Sequence, residues 1–317
     1  MQLMSPAAWA WIPIVLAAAF FQTVRNAAQR TLVAELGTLS ATLVRFLYGL
    51  PFAALWLVIV LQFLPAGSPT LALGMANGRF AWAYWLWLLV GGVAQILATA
   101  FLLLAMKERN FVIGVALAKT EVLQAAVLGA VLLLEFPDLW AALAMLAATL
   151  GVVLISMPQG GLGNAFSASN WQGKAALAGL ASGACFAMAS VGYRGAALAQ
   201  PGVSPWLIGA CGVVLAQLIQ TLLLGSWIAA REPSKLAKIA RAWRVSTLAG
   251  AMGALASIGW FTAFALKPAA EVKTLGLIEV IFSYAVSHKL FDEKLSGAER
   301  LGLILVTLGL VVICAQL

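Results

Sequence analysis

The sequence predicts an all-α polytopic membrane protein, with ten transmembrane helices arranged as two inverted five-helix repeats. Three observations carry the prediction. Of the 317 residues, 63% are hydrophobic and 9% charged, against about 25% charged in a soluble domain, and the mean hydropathy is +1.00. Apolar runs near the ~20 residues that a bilayer-crossing helix needs recur along the chain. The stretch Lys119–Glu135, KTEVLQAAVLGAVLLLE, sets Lys119 and Glu121 inside such a run, and EVIFSYAVSHKLFDE does something similar from Glu279 in the second half. Open strands leave backbone groups unsatisfied in lipid, and no alternating pattern of about ten residues recurs, so helices are expected rather than a barrel.

In order, the expected spans are Ala8–Gln29, Leu39–Leu61, Ala81–Met106, Phe111–Leu134, Leu139–Met157, Gly173–Ala196, Ser204–Ala230, Val245–Leu266, Val272–Leu290 and Leu301–Gln316. Between them stand Gly, Pro and charged residues, as in Pro65-Ala-Gly-Ser-Pro69, Lys107-Glu-Arg-Asn110, Glu135-Phe-Pro-Asp138 and Pro201-Gly-Val-Ser-Pro205, the punctuation expected of helix ends. Trp9, Trp11, Trp82, Trp85, Trp140, Trp171, Trp206, Trp227 and Trp243 cluster at predicted ends as an aromatic belt would. Arg231, Lys235, Lys238, Arg241 and Arg244 are spaced three or four apart in the longest hydrophilic loop, a spacing that suits an amphipathic helix on an anionic bilayer or a basic loop that sets topology. The N-terminus lacks a basic n-region and a small-residue cleavage site, so Trp9 onward is expected to be a retained first span. Cys185, Cys211 and Cys314 lie inside spans without a CxxC spacing and read as small apolar residues. Little chain remains for an extramembrane catalytic module.

Placing Glu121 over Glu279 puts Glu135 on Glu293 and Gly151 on Gly309, and brings GVVL (151–154) onto GLVV (309–312) without a gap. Five spans per half is an odd number, so the second half enters the membrane inverted, the usual build of a secondary transporter. The expected organisation is 1–157 as the first repeat, 158–172 as a linker loop and 173–317 as the second repeat. In this alignment Lys119 falls on Leu277 and has no counterpart.

The segments TEVLQAAVLGAVLLLEFPDLWAALAMLAATLGVVLI and IEVIFSYAVSHKLFDEKLSGAERLGLILVTLGLVVI each read as a Glu opening a span, a Leu-Glu or Asp-Glu at its end, and a Gly-containing final span. With Arg45 in ATLVRFLYGLPFAALWL, the chain resembles the ten-span EamA branch of the drug/metabolite transporter (DMT) superfamily over nearly its whole length. The resemblance implies a ten-helix transporter fold. The family often carries proline after the Glu. Here Val122 and Val280 stand in that place, so the sequence supplies no proline to break those helices.

Charges inside a span are costly, at roughly 2.5 kcal/mol or more, unless they face a partner or a wet cavity, so intramembrane polar residues are the candidates for binding substrate or protons. Glu279 and Glu121 come first, because a desolvated carboxylate can exchange protons near neutral pH; the competing reading is that each is tied to Lys119, Lys273 or an arginine as a structural pair. Ser283 and Ser287 extend a polar stripe from Glu279. Lys119 and Glu121 point about 200° apart on a helix, so one faces the cavity and the other a neighbouring helix. Arg25 and Asn26 share a face with Gln22 and Gln29, and Arg30 follows, a cation pair that suits an anionic group. Tyr193 and Arg194 occupy the corresponding place in the second half. Arg45 is expected to anchor at the interface by snorkelling, with binding of substrate as the competing reading. Gln95 and Trp260 lie away from span ends, Trp260 filling a helix seam or stacking on substrate. His288 is the single histidine, which excludes bis-His haem, HExxH and most zinc sites. Gly179 and Gly183 form a GxxxG that allows close helix packing.

The function expected is a secondary active transporter, exporter or permease, for a small polar metabolite such as an amino acid, with alternating access around a midplane cavity and protons as coupling ion. A multidrug or cation efflux carrier is the alternative, followed by a channel or scramblase and a membrane-embedded lipid-linked transferase. No enzyme activity, cofactor or metal site is expected. The formal charge of +8, from 19 Lys+Arg against 11 Asp+Glu, is explained by topology and anionic headgroups rather than nucleic acid. The expected partners are the small-molecule substrate, protons and the lipid bilayer of a bacterial cytoplasmic (inner) membrane, with the chain a monomer or weak dimer. Arg79, Arg194 and Lys267 lie on the face shared with the termini. Arg30, Lys107, Arg109, Lys174, the basic loop through Arg244, Lys289, Lys294 and Arg300 lie on the other. The positive-inside rule therefore sets the termini outside, while the family resemblance sets them in the cytoplasm.

Overall fold

The computed structural model describes residues 9–64, 75–76, 79–107, 111–156, 173–282 and 296–316. Apolar composition and the need to bond every backbone group internally make almost all of it helical. The helices are α1 (Trp11–Leu36), α2 (Thr38–Leu47), α3 (Leu50–Phe63), α4 (Trp82–Lys107), α5 (Phe111–Ala118), α6 (Glu121–Leu133), α7 (Leu139–Ile155), α8 (Lys174–Leu198), α9 (Pro205–Arg231), α10 (Ser234–Arg241), α11 (Trp243–Leu266), α12 (Ala269–Gly276) and α13 (Gly297–Ala315). Between α3 and α4 a two-residue antiparallel ladder, β1 (Met75–Ala76) with β2 (Arg79–Phe80), closes a segment read from sequence as loop.

Among the described residues, seven stretches are long and apolar enough to cross a membrane: Thr38–Phe63, Trp82–Met106, Gly114–Leu133, Lys174–Leu198, Pro205–Arg231, Trp243–Leu266 and Gly297–Ala315. Leu139–Ile155 is a shorter apolar helix. The chain is thus a multi-pass membrane protein. Phe63, Trp82, Leu86, Val131 and Leu222 are exposed on outer faces, a surface that suits acyl chains rather than water. Trp9, Trp140, Trp206, Trp227 and Trp243 are also exposed. Trp11, grouped with them by sequence, is instead a buried core side chain. The span expected at Leu39–Leu61 is interrupted at Tyr48-Gly49, where Pro51 opens α3 without an amide hydrogen to donate. The basic loop does form a short helix, α10, with Ile239 buried and Lys235 paired to Glu232.

The described chain divides into two compact units. One comprises Met1–Ile12, Leu97–Val191 and Pro268–Leu317, the other Pro13–Ile96 and Gly192–Lys267. Each draws on both halves of the sequence. The loop expected at 158–172 lies outside the described residues.

In the first unit, α7 packs along α13 at backbone distance. A Cβ on Gly151 would lie 2.6 Å from the Gly302 carbonyl oxygen, and one on Gly309 would lie 2.7 Å from that of Ala144. The Glu121-on-Glu279 alignment puts Ala144 on Gly302 and Gly151 on Gly309, so each contact is the other with the two halves exchanged. The GxxxG of α8 behaves as expected, with Gly179 against the backbone of Gly114 in α5. In the second unit a core of Leu32, Leu43, Phe46, Leu224, Ile228 and Ile239 holds α1, α2, α9 and α10 together.

Candidate functional site

The first unit contains four charges in two pairs, the carboxylates buried and the lysines partly so. The helix carrying Glu121 stops at Ala118, turns through Lys119-Thr120 and restarts at Glu121. At the turn, the amides of Lys119 and Thr120 donate to the carbonyls of Ala116 and Leu117, three residues back instead of four. The second half repeats this. α12 ends at Gly276, Leu277 turns with its amide on the Thr274 carbonyl, and helical backbone resumes over 278–282. The two breaks occur at aligned positions, without proline, each just ahead of the carboxylate.

The charges pair across the halves. Lys119 Nζ binds Glu279 Oε1, and Lys273 Nζ binds Glu121 Oε1 at 3.1 Å. The Lys273 ammonium also sits 5.7 Å from the centre of the Phe186 ring, a cation–π contact. Glu121 and Glu279 are both buried, and such pairs hold together because removing either partner strands a charge out of water. Lys119 aligns with Leu277, but Lys273, four residues before it, makes with Glu121 the contact that Lys119 makes with Glu279. Gln124 Nε2 donates to Thr120 Oγ1 at 2.8 Å, bracing the first break.

The second unit gathers the remaining candidates. Arg25 and Arg45 are buried, and both stems converge on Gly253 of α11. Arg45 therefore does not snorkel. Its guanidinium lies over the Phe46 ring and within electrostatic reach of Arg25 and of the Tyr193 hydroxyl. Asn26 Oδ1 accepts from Arg25 Nη2 at 2.7 Å. The Tyr193 hydroxyl donates to Gln95 Oε1 at 3.0 Å, and Gln220 Nε2 donates to the same oxygen at 2.7 Å. Tyr193 also packs its ring on Phe261, beside a small cleft lined by Tyr84, Leu88 and Gly212. Trp260 Nε1 donates to Gln22 Oε1 at 3.0 Å and stacks on Phe264. Arg194 Nη1 donates to the carbonyls of Phe264 and Ala265, capping the C-terminus of α11, where a cation also favours the helix dipole.

Sequence reasoning missed Gln220, Tyr84 and Gly253, which lie in apolar surroundings with no spacing signal. Asp138, read among the residues that punctuate helix ends, is the N-cap of α7, accepting from the Ala141 amide at 2.7 Å. Ser283, Ser287 and His288 lie outside the described residues. Among the described residues no group of three His, Cys, Asp or Glu side chains is placed to hold a metal ion.

Residues 239–316 match the model of a family described as magnesium transporter NIPA. No curated protein matches the chain. A solved crystal structure of a protein is similar over 96% of this chain and 96% of its own, with a TM-score of 0.65 and 18% identity. That likeness shows a shared fold over nearly the whole length, while the likeness to a membrane-transporter family covers α11 to α13 and includes Lys273 and Glu279.

Proposed function

We propose that the protein is a secondary active transporter, an exporter or permease, carrying a small polar metabolite such as an amino acid by alternating access and coupled to protons. The observation that carries the reading is the matched pair of helix breaks, at Lys119-Thr120 and at Leu277, each followed by a buried carboxylate. Broken helices with charge at the break are how such carriers build their ion and substrate sites. Protonating Glu279 would neutralise it and release Lys119, changing the energy of the break. Two inverted five-helix repeats, 1–157 and 173–317, belong to the same proposal and are supported by the exchanged contacts of α7 and α13. So do residence in a bacterial inner membrane and a monomer or weak dimer.

Cation transport is the second reading, favoured by the likeness of residues 239–316 to a magnesium transporter family. The pairing of both carboxylates with lysines weighs against it, because a cation would have to displace an ammonium from each.

Proteoliposomes separate the two. Labelled amino acid should show counterflow, and Glu279→Gln should abolish uptake driven by a pH gradient while leaving counterflow intact. Undiminished proton-driven uptake in that variant sinks the coupling. Uptake of magnesium without metabolite counterflow selects the second reading.

A further inference from the structure

We propose that Arg25 and Arg45 form a binding site for one anionic oxygen group, a carboxylate or a phosphate, within the second unit. Both side chains are more than nine-tenths buried, at 6% and 4% exposure. Their stems meet at Gly253, where a Cβ would lie 3.3 Å from Arg25 Cδ and 3.4 Å from Arg45 Cγ. The missing side chain at that position is what lets the two stems pass side by side. Arg25 spends Nε and Nη2 on Asn26 Oδ1 and keeps Nη1 without a partner. Arg45 Nε is likewise without one.

Among the described residues no acid pairs with either arginine. The second unit contains only Glu35 and Glu232 as acidic residues. Both are exposed, and Glu232 is engaged by Lys235. A guanidinium does not escape burial by losing its proton, and two like charges out of water repel at close range. The arrangement therefore calls for a negative charge that no described residue supplies. Planar forks with free N–H donors match the paired oxygens of carboxylate and phosphate better than a spherical ion. Arg194, which also belongs to this unit, is already committed to backbone carbonyls.

The inference goes beyond the transport reading and does not depend on it. The group could belong to a soluble molecule or to a lipid headgroup, and the test distinguishes them. Full-length protein in a neutral detergent is melted with sodium phosphate, sodium acetate or sodium chloride at matched ionic strength. It is melted again after transfer to vesicles of phosphatidylcholine alone or with phosphatidylglycerol. A soluble occupant predicts a saturable rise of several degrees in Tm with phosphate or acetate over chloride. A lipid occupant predicts the rise with phosphatidylglycerol only.

In either case the rise disappears in Arg25→Gln and Arg45→Gln. Each variant should also melt no lower than the parent when no anion is present, because it removes an uncompensated charge. Should a glutamine variant fail to fold, Arg45→Lys retains the charge without the fork, and its anion response should fall at least severalfold. The proposal is overturned if no anion stabilises the parent, or if the glutamine or lysine variants respond as the parent does. Anion binding without any counterflow would instead remove the transport reading and leave this one standing.

Discussion

The two units treat buried charge in opposite ways. In the first, Lys119, Glu121, Lys273 and Glu279 sum to zero, and each finds its opposite on the other half of the sequence. In the second, Arg25 and Arg45 converge on one glycine with donors left over and with no buried acid in the unit to meet them. A closed set of pairs stabilises one arrangement and resists loss of any member. An open set is under strain until something binds. Burial alone does not separate these cases, since Glu121 and Arg25 are both buried. What separates them is whether the partner belongs to the chain.

The contrast can be broken by mutation. The largest effect is expected at the quartet. Glu121→Gln removes the carboxylate that Lys273 binds and should destabilise the protein by about 3 kcal/mol, read as a lowered midpoint in detergent-phase denaturation. The double variant Glu121→Gln with Lys273→Gln should recover most of that loss, and a failure to recover would mean the pair is not closed. Next, Gly151→Ala and Gly309→Ala should each lose about 1–3 kcal/mol by pushing α7 off α13. Near-equal losses are expected if the two contacts are exchanged copies, and a large difference would break that symmetry.

The arginine pair should respond in the other direction. Arg45→Gln in the absence of anions should be neutral or stabilising by roughly 1 kcal/mol, and a loss as large as that of Glu121→Gln would erase the distinction between the units. The smallest effect sharpens the comparison by serving as a control. Asp138→Ala in one unit and Arg194→Met in the other each remove a helix cap, and each should lose about 1 kcal/mol.

Much of this was legible because membrane helices are long and uniform in composition. Most spans, the GxxxG contact and the pairing of the two glutamates with Lys119 and Lys273 as one of two readings were visible in residue order. The helix breaks were not. The sequence has valine where a proline would have announced them, and the turns instead come from amides bonding three residues back. The counterpart of Lys119 was hidden for a geometric reason: α12 brings Lys273 to Glu121 from one turn away, and aligning letter against letter cannot see a four-residue displacement along a helix. Arg45 was misplaced because a position early in a span suggests an interface, whereas the bare backbone of Gly253 allows it inward. Trp11 was misplaced by the same logic, since a tryptophan near a helix start can face the core as well as the headgroups.

The crossed pairing also governs the order in which the protein can be made. Synthesis delivers Lys119 and Glu121 to the bilayer long before α12 and the Glu279 segment have left the ribosome, and domains otherwise tend to fold as they emerge. During that interval both charges lack their final partners, and a charge at the bilayer centre costs roughly 2.5–3.5 kcal/mol. The early helices must therefore wait at the membrane, held near water or near the insertion machinery, until the last quarter of the chain arrives to lock them in. A chain interrupted before Lys273 would keep its apolar helices and still lack the Glu279 and Lys273 that Lys119 and Glu121 bind, a mark by which quality control could recognise it.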